Sequence, residues 1–242
     1  MYQRIDEDST GRHWRRAKSV TEIVGRAESA VSAEKVDNLM GWAAGCAANT
    51  AIELMEMEEL DLTEDEIFGW IKNAYERQRS EAADAGTKCH SWAESYLQKR
   101  SVILPMGHPL HRFTKWFSAI WISKDYSVGK VQTERIVFDY ANGVAGTADM
   151  VFHHEVPNTF SVGDLKTGNW VGQAVKIQLA AYAEAYALET GMEHRGGVVF
   201  HAPLRSEKQP WTVKALPKDE MNKSIHMYQM ACEINEFFDG KW

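Results

Sequence analysis

Two short β-prone runs, residues 144–154 and 159–166, flank Val156-Pro157-Asn158. No other stretch narrows the possible folds as much. Pro and Asn together mark a turn. If that turn is the centre of an antiparallel pair, Asp149 falls opposite Asp164. Lys166, two residues beyond Asp164, then lies on the same side of the sheet. Like charges facing each other across strands are destabilising. A cation between them removes the penalty, and Mg²⁺ or Mn²⁺, hard ions that prefer oxygen ligands, would fit. The lysine need not compete for that ion; it can hold or deprotonate a water, or steady a negative charge. The competing reading is a solvated, charged hairpin face. Val151, Phe152 and Val162 make the strands too apolar for that.

An Ala-rich helix is expected over 172–190, with Ile177, Leu179, Ala180, Ala183 and Leu188 as apolar positions and Gly191 as its stop. Gln178 and Tyr182 stand four apart and share one face. A Gln on the packing side of such a helix needs a partner. Taken alone, the pair reads equally as a surface Gln beside a core Tyr.

In this order and spacing GTAD, DLKTG and QLAAY resemble the PD-(D/E)XK nuclease superfamily, and most closely its RecB-type branch with the CRISPR-associated and phage recombination exonucleases. The resemblance covers about residues 86–200. It implies a restriction-endonuclease-like αβββαβ core, an α/β (α+β) fold with a mixed sheet, here with an added N-terminal helical lobe. It implies that His90, in GTKCHSWAESYL, and Asp149 and Asp164 are metal ligands, with the Leu165 carbonyl completing the shell. Lys166 would be the catalytic lysine, and Gln178 and Tyr182 would organise the site and the scissile phosphate. Glu94 and Glu134 are auxiliary acids on this reading. The implied activity is a Mg²⁺- or Mn²⁺-dependent DNA exonuclease used in recombination, repair or replication. A recombinase or a single-strand annealing protein is the kind of partner such an enzyme works with, and an oligomer is compatible with it. The alternatives are a structure-specific endonuclease and an inactive nuclease fold kept as a DNA-handling scaffold. The acid before the lysine is Asp, where Glu is commoner. The CRISPR-associated members usually carry an iron–sulfur cluster on four cysteines; this chain has 3 cysteines, so no cluster is expected.

Those cysteines, Cys46, Cys89 and Cys232, are far apart and odd in number, which suits a reducing cytoplasm better than a disulfide frame. No apolar run approaches the length of a membrane span and the N-terminus lacks a secretory apolar core, so a cytoplasmic protein is expected. The net charge of −7 argues against a broad basic coat for nucleic acid. Contacts to DNA must then be local. Arg12, Arg15, Arg16 and Lys18, with Trp14 among them, are the candidate place; a solvated arm is the plainer reading.

In chain order, SVTEIVG is a short β-prone piece. Residues 33–60 carry an apolar stripe at helical spacing, interrupted by Gly41 and Gly45. A capping box at Thr63 to Glu66 opens a second helix ending near Ala83. Thr87 is the expected N-cap of a third, which places His90 in its first turn, where the helix end disfavours imidazolium, with Glu94 one turn on. Another helix begins at Pro109. A strand over 131–140, carrying Glu134, is expected to pair with 144–153 through Ala141-Asn142-Gly143. Strands at 196–202 and 211–216 follow, and a final helix after Pro217 presents Met221, Ile225, Tyr228 and Cys232. The division expected is an arm and helical lobe over 1–85 and the nuclease core over 86–242.

Overall fold

A computed structural model of the chain describes residues 3–8, 11–31, 33–57, 61–100, 103–104, 111–123, 130–169, 171–204 and 210–238, with 3–16, 27–31, 33–39, 120–123 and 238 described as backbone. Two units are present, Ser29–Thr87, and Met1–Glu28 together with Lys88–Trp242. Residues 1–28 thus group with the C-terminal unit, where a lobe over 1–85 was expected.

The helical unit holds α2 (Ala33–Met55), α3 (Glu64–Lys72) and the start of α4 (Ala74–Leu97). α2 runs through Gly41 and Gly45 as one helix, so neither glycine breaks it. Thr63 opens α3 with a reciprocal capping box: its hydroxyl accepts from the Glu66 amide, and the Glu66 carboxylate accepts from the Thr63 amide. This satisfies two amides that a helix start leaves unpaired. Asn73 then ends α3, so the single helix expected to reach Ala83 is two. The unit is pinned by the edge-to-face pair of Trp42 with Tyr75, centroids 4.9 Å apart, and by Cys46 Sγ donating to Gln78 Oε1 at 3.2 Å.

The second unit is mixed α/β. Its N-terminal strands β1 (Gln3–Asp8) and β2 (Gly11–Arg16) form a two-stranded sheet. The basic segment expected to be an arm is therefore a hairpin. β3 is only Lys18–Ser19, and α1 (Val20–Val31) follows directly. SVTEIVG is mostly helix: Ser19 Oγ accepts the Glu22 amide at 3.0 Å and turns the chain into it.

The main sheet contains β3, β4 (Val131–Asp139), β5 (Val144–His153), β6 (Thr159–Lys166), β7 (Glu193–His201) and β8 (Thr212–Pro217). β4 lines one side of β5. On the other side β3 pairs in parallel with the start of β5 and β6 pairs antiparallel with its end. β6 and β7 are parallel, as a crossover through α6 (Ala174–Thr190) requires. β8 is antiparallel to β7 and leads into α7 (Lys218–Phe238). Met150 to His153 pair with Gly163 to Phe160, the expected register, and Asp149 and Asp164 follow just beyond the last rung.

Each face of the sheet has its own core. One holds Val137, Val144, Ala148, Val151, Phe160, Val162 and Val199, with Val20, Ile23 and Val24 of α1, the apolar side chains of α6, and Met221 and Tyr228 of α7. The other holds Met150, Phe152, Leu165, Val198 and Phe200, with Cys89, Trp92 and Ala93 of α4 and Phe113 and Phe117 of α5 (His111–Ser123). α6 is buried nearly all round, from Val175 through Leu179–Ala183 to Ala185 and Tyr186, as its uniform apolar composition dictates. Gly191, at φ 69°, ends it by giving its amide to the Ala187 carbonyl at 2.8 Å.

Candidate metal centre

The strand pair β4/β5 changes phase at one level. Ala148 packs toward α6 while Met150 packs toward α4; Val137 packs toward α6 while Val131 packs toward α4. Strict alternation would keep each pair on one side. The break falls at Asp149 on β5 and at Glu134 on β4, the step missing between the paired rungs Thr133–Met150 and Arg135–Ala148. Glu134 has φ 49°, a left-handed backbone costing about 1–3 kcal/mol at a residue with a side chain. Such strain persists where surrounding structure holds it, and here it turns an acid toward Asp149.

Beyond Met150–Gly163 the ladder of β5 with β6 stops. Asp149 Oδ2 takes the Leu165 amide at 2.8 Å. His90 Nδ1 lies 3.4 Å from the same oxygen. Ligand atoms of His90, Glu134 and Asp149 all lie within 4.8 Å of one another. That set differs from the expected one: Glu134, expected only as an auxiliary acid, is a member, and Asp164 is not.

Asp164 is turned toward the lysine instead. Lys166 Nζ donates to Asp164 Oδ1 at 2.9 Å and to Gln178 Oε1 at 3.2 Å. Gln178 Nε2 in turn donates to the Tyr182 hydroxyl at 2.7 Å. The helix pair and the hairpin pair read separately in the sequence are thus one hydrogen-bonded chain. It resolves the orientation of Gln178: the amide faces the lysine and is not a solvated surface group.

The electrostatics show a surplus of negative charge. Burial pushes the Asp164 carboxyl up to about 6 and the charge of Asp149 adds to this, against the pull of Lys166. Burial also raises Asp149, opposed by the Leu165 amide and Lys166. Glu134 is pushed up to about 7, by partial burial of its carboxyl first and then by Asp149 and Glu94. Asp164 Oδ2 is buried without a hydrogen-bond partner. Three acids held above their ordinary range, one of them with an orphaned oxygen, make a surplus of negative charge that a hard divalent ion at Glu134 and Asp149 could relieve. His90 suits the same ion, because burial keeps its imidazole below the ordinary range and hence neutral.

The cause of that neutrality is not the expected one. α4 runs unbroken through Gly86 and Thr87, and Thr87 Oγ1 donates to the Ala83 carbonyl at 2.9 Å. Thr87 is therefore no N-cap, and His90 sits in mid-helix, where no helix end acts on it. Glu94 accepts from Gln98 Nε2 at 3.0 Å and pairs with Arg100 at 3.2 Å. It stands outside the ligand set and acts on it through charge. Lys18 is half-buried in β3 and its amide bonds the Gly143 carbonyl. Arg12, Arg15 and Arg16 lie on β2, with side chains outside the described ones. Cys46, Cys89 and Cys232 are buried thiols; burial pushes Cys89 up to about 12.

Gly146, of GTAD, was missed as a site residue. A Cβ there would lie 2.5 Å from Tyr182 Cε1 and 2.9 Å from Val20 Cγ2. The Tyr182 ring needs that space to reach Gln178. Gly146→Ala is expected to destabilise the protein by about 1–3 kcal/mol through overpacking. Denaturant unfolding checks this, and a midpoint equal to wild type would show that the ring is not confined by Gly146.

No protein-family model and no curated protein matches the chain. Among solved structures, the crystal structure of SSO0001 is similar at a TM-score of 0.30 and 13% identity, covering 78% of this chain and 84% of that chain. So slight a likeness carries no argument. Among the described residues no helix is long and apolar enough to cross a membrane.

Proposed function

We propose that the chain is a Mg²⁺- or Mn²⁺-dependent deoxyribonuclease, acting as an exonuclease, with β4–β7, α6 and the His90 segment of α4 as a PD-(D/E)XK-type core. The observation that carries this is the adjacency of two arrangements: the ligand set His90–Glu134–Asp149, and the chain Asp164–Lys166–Gln178–Tyr182. His90, Glu134 and Asp149 would hold the ion, with the orphaned oxygen of Asp164 and the Leu165 carbonyl as further candidate donors. A bound ion of this kind polarises a phosphoryl oxygen and lowers the pKa of a coordinated water. Lys166, held between Asp164 and Gln178, presents its ammonium to the charge that develops on the phosphate. Tyr182 and Gln178 fix where that ammonium stands. A structural salt bridge would need only Asp164 and Lys166, and would not gather a second set of acids with a neutral imidazole.

Incubation of linear duplex DNA with the protein in Mn²⁺, and in EDTA, tests this. Loss of substrate from its ends in Mn²⁺ alone is expected, with closed circular DNA spared. Cutting of the circle would make the enzyme an endonuclease, and an intact linear substrate would leave a DNA-handling scaffold.

A further inference from the structure

We propose that a cavity beside the centre receives the base of the nucleotide adjoining the phosphate held at Lys166, with Lys214 binding that nucleotide's own phosphate. The inference rests on the reading of Asp164 and Lys166 as the place where a DNA strand is held. The cavity has a volume of about 340 Å³ and lies among the segment before α6, the start of α6, β7, β8 and α7. That is within the size range of small-ligand pockets. Val171, Val175, Val199 and Leu216 make its floor apolar, and Gln173, Lys176, Lys214 and Glu220 supply polar groups.

Its place in the sheet follows from the register. Asp164 pairs with Val199, and Val199 pairs with Lys214. Residues paired across neighbouring strands share a face, so Asp164, Val199 and Lys214 form one row on the α6 side. Strands are about 4.8 Å apart, which sets Lys214 about 10 Å along that row from Asp164. The next row runs from Lys166 through His201, whose Nε2 meets the Gly168 carbonyl at 2.8 Å. The cavity therefore lies on the same face of the sheet as Asp164, Lys166 and Gln178, within reach of an adjoining nucleotide.

The charges point to one occupant. Lys176 is paired with Glu220, so those two cancel. Lys214 is exposed and has no acidic partner among the described residues. An apolar floor, one uncommitted cation at the rim and one amide, Gln173, match a flat heteroaromatic base, its phosphate and the polar edge of the base. Gln173 heads α6 but makes no side-chain capping bond, which leaves its amide available. A base lifted into such a site must come from an unpaired strand, because stacking and pairing hold it elsewhere in a duplex.

The test is anisotropy of a labelled single-stranded oligonucleotide in EDTA, with one abasic step moved along the strand. Wild type is expected to lose about tenfold in affinity at one position of the abasic step. Val171→Trp, which fills the cavity, should bind the intact strand correspondingly less well and show no such position. Lys214→Ala should lower the slope of log affinity against log salt by about one contact's worth. Gln173→Ala, an exposed change that cannot unfold the protein, should weaken the intact strand and not the abasic one. A flat abasic scan in wild type, variants that bind as wild type, or no binding of the strand at all would each overturn the proposal. Because these arms need no cutting, they separate the two claims. A positive scan in a protein that cuts nothing in Mn²⁺ leaves the pocket and removes the nuclease. A flat scan in a protein that cuts does the reverse.

Discussion

Lys166→Ala protein is expected to fold as wild type and to lose about 10³-fold or more of its Mn²⁺-dependent cutting of linear DNA. The size follows from what the ammonium does. Its position at the edge of the acid cluster is set by two hydrogen bonds that it donates, to Asp164 Oδ1 at 2.9 Å and to Gln178 Oε1 at 3.2 Å. Removing it takes away the positive charge opposite the phosphate. Folding should survive, because Lys166 is half-buried at the end of β6 and its stem carries little of either core. Tyr182→Phe is the graded control: it removes the acceptor of Gln178 Nε2 and keeps the ring against Gly146. Its loss should be smaller, because the lysine keeps both of its own partners. Activity of Lys166→Ala equal to wild type, with unchanged circular dichroism and melting, would refute the assignment of the lysine.

The second large effect concerns Asp164 and the pH dependence of stability. Its folded carboxyl is raised to about 6, mainly by burial. A raised acid adds stability that is fully present below its unfolded pKa of about 3.9 and is lost as pH climbs through the folded value. In EDTA the melting temperature of Asp164→Asn, measured relative to wild type, should therefore rise between pH 4 and pH 6. The amide's own hydrogen bonding is a constant offset and drops out of that slope. The expected gain is about 2–4 °C per pH unit for a chain of this size. Mn²⁺ should raise the melting temperature of wild type at pH 7 and raise that of the variant less, since ligand binding to the native state stabilises it. Parallel melting curves for the two proteins across this range would show that Asp164 is not a buried, charge-strained acid. An equal Mn²⁺ shift in both would remove Asp164 from the ion's surroundings.

Much of the candidate site was legible because it lies on short-range periodicities. Pro157-Asn158 centres the hairpin, and a period of two then places Lys166 with Asp164, whereas Asp149 sits where the alternation breaks. The spacing of four in α6 places Gln178 with Tyr182. Gly191 and the Thr63 capping box likewise mark their helix ends by local chemistry. Thr87 misled for the opposite reason. A threonine after glycine is a good N-cap in isolation, yet here its hydroxyl bonds back to Ala83 and α4 continues to Leu97. Burial of Cys89, Trp92 and Ala93 against α5 and the sheet stabilises the helix across a glycine that propensity alone would disfavour. SVTEIVG failed similarly. Its β-branched residues look strand-like, but Val20, Ile23 and Val24 lie on one helical face against α6 and the sheet.

By itself, the order of residues determined the register of the central hairpin, the order of the elements from β4 onward and the alignment of Gln178 with Tyr182, because turns and repeats of two or four act over a few neighbours. Only the folded sheet decided that Glu134, and not Asp164, joins His90 and Asp149. That choice rests on a left-handed backbone at Glu134 and on strands that part beyond Met150, and both are set by packing on the two faces. Long-range contacts fix where an acid points, and no local pattern records them.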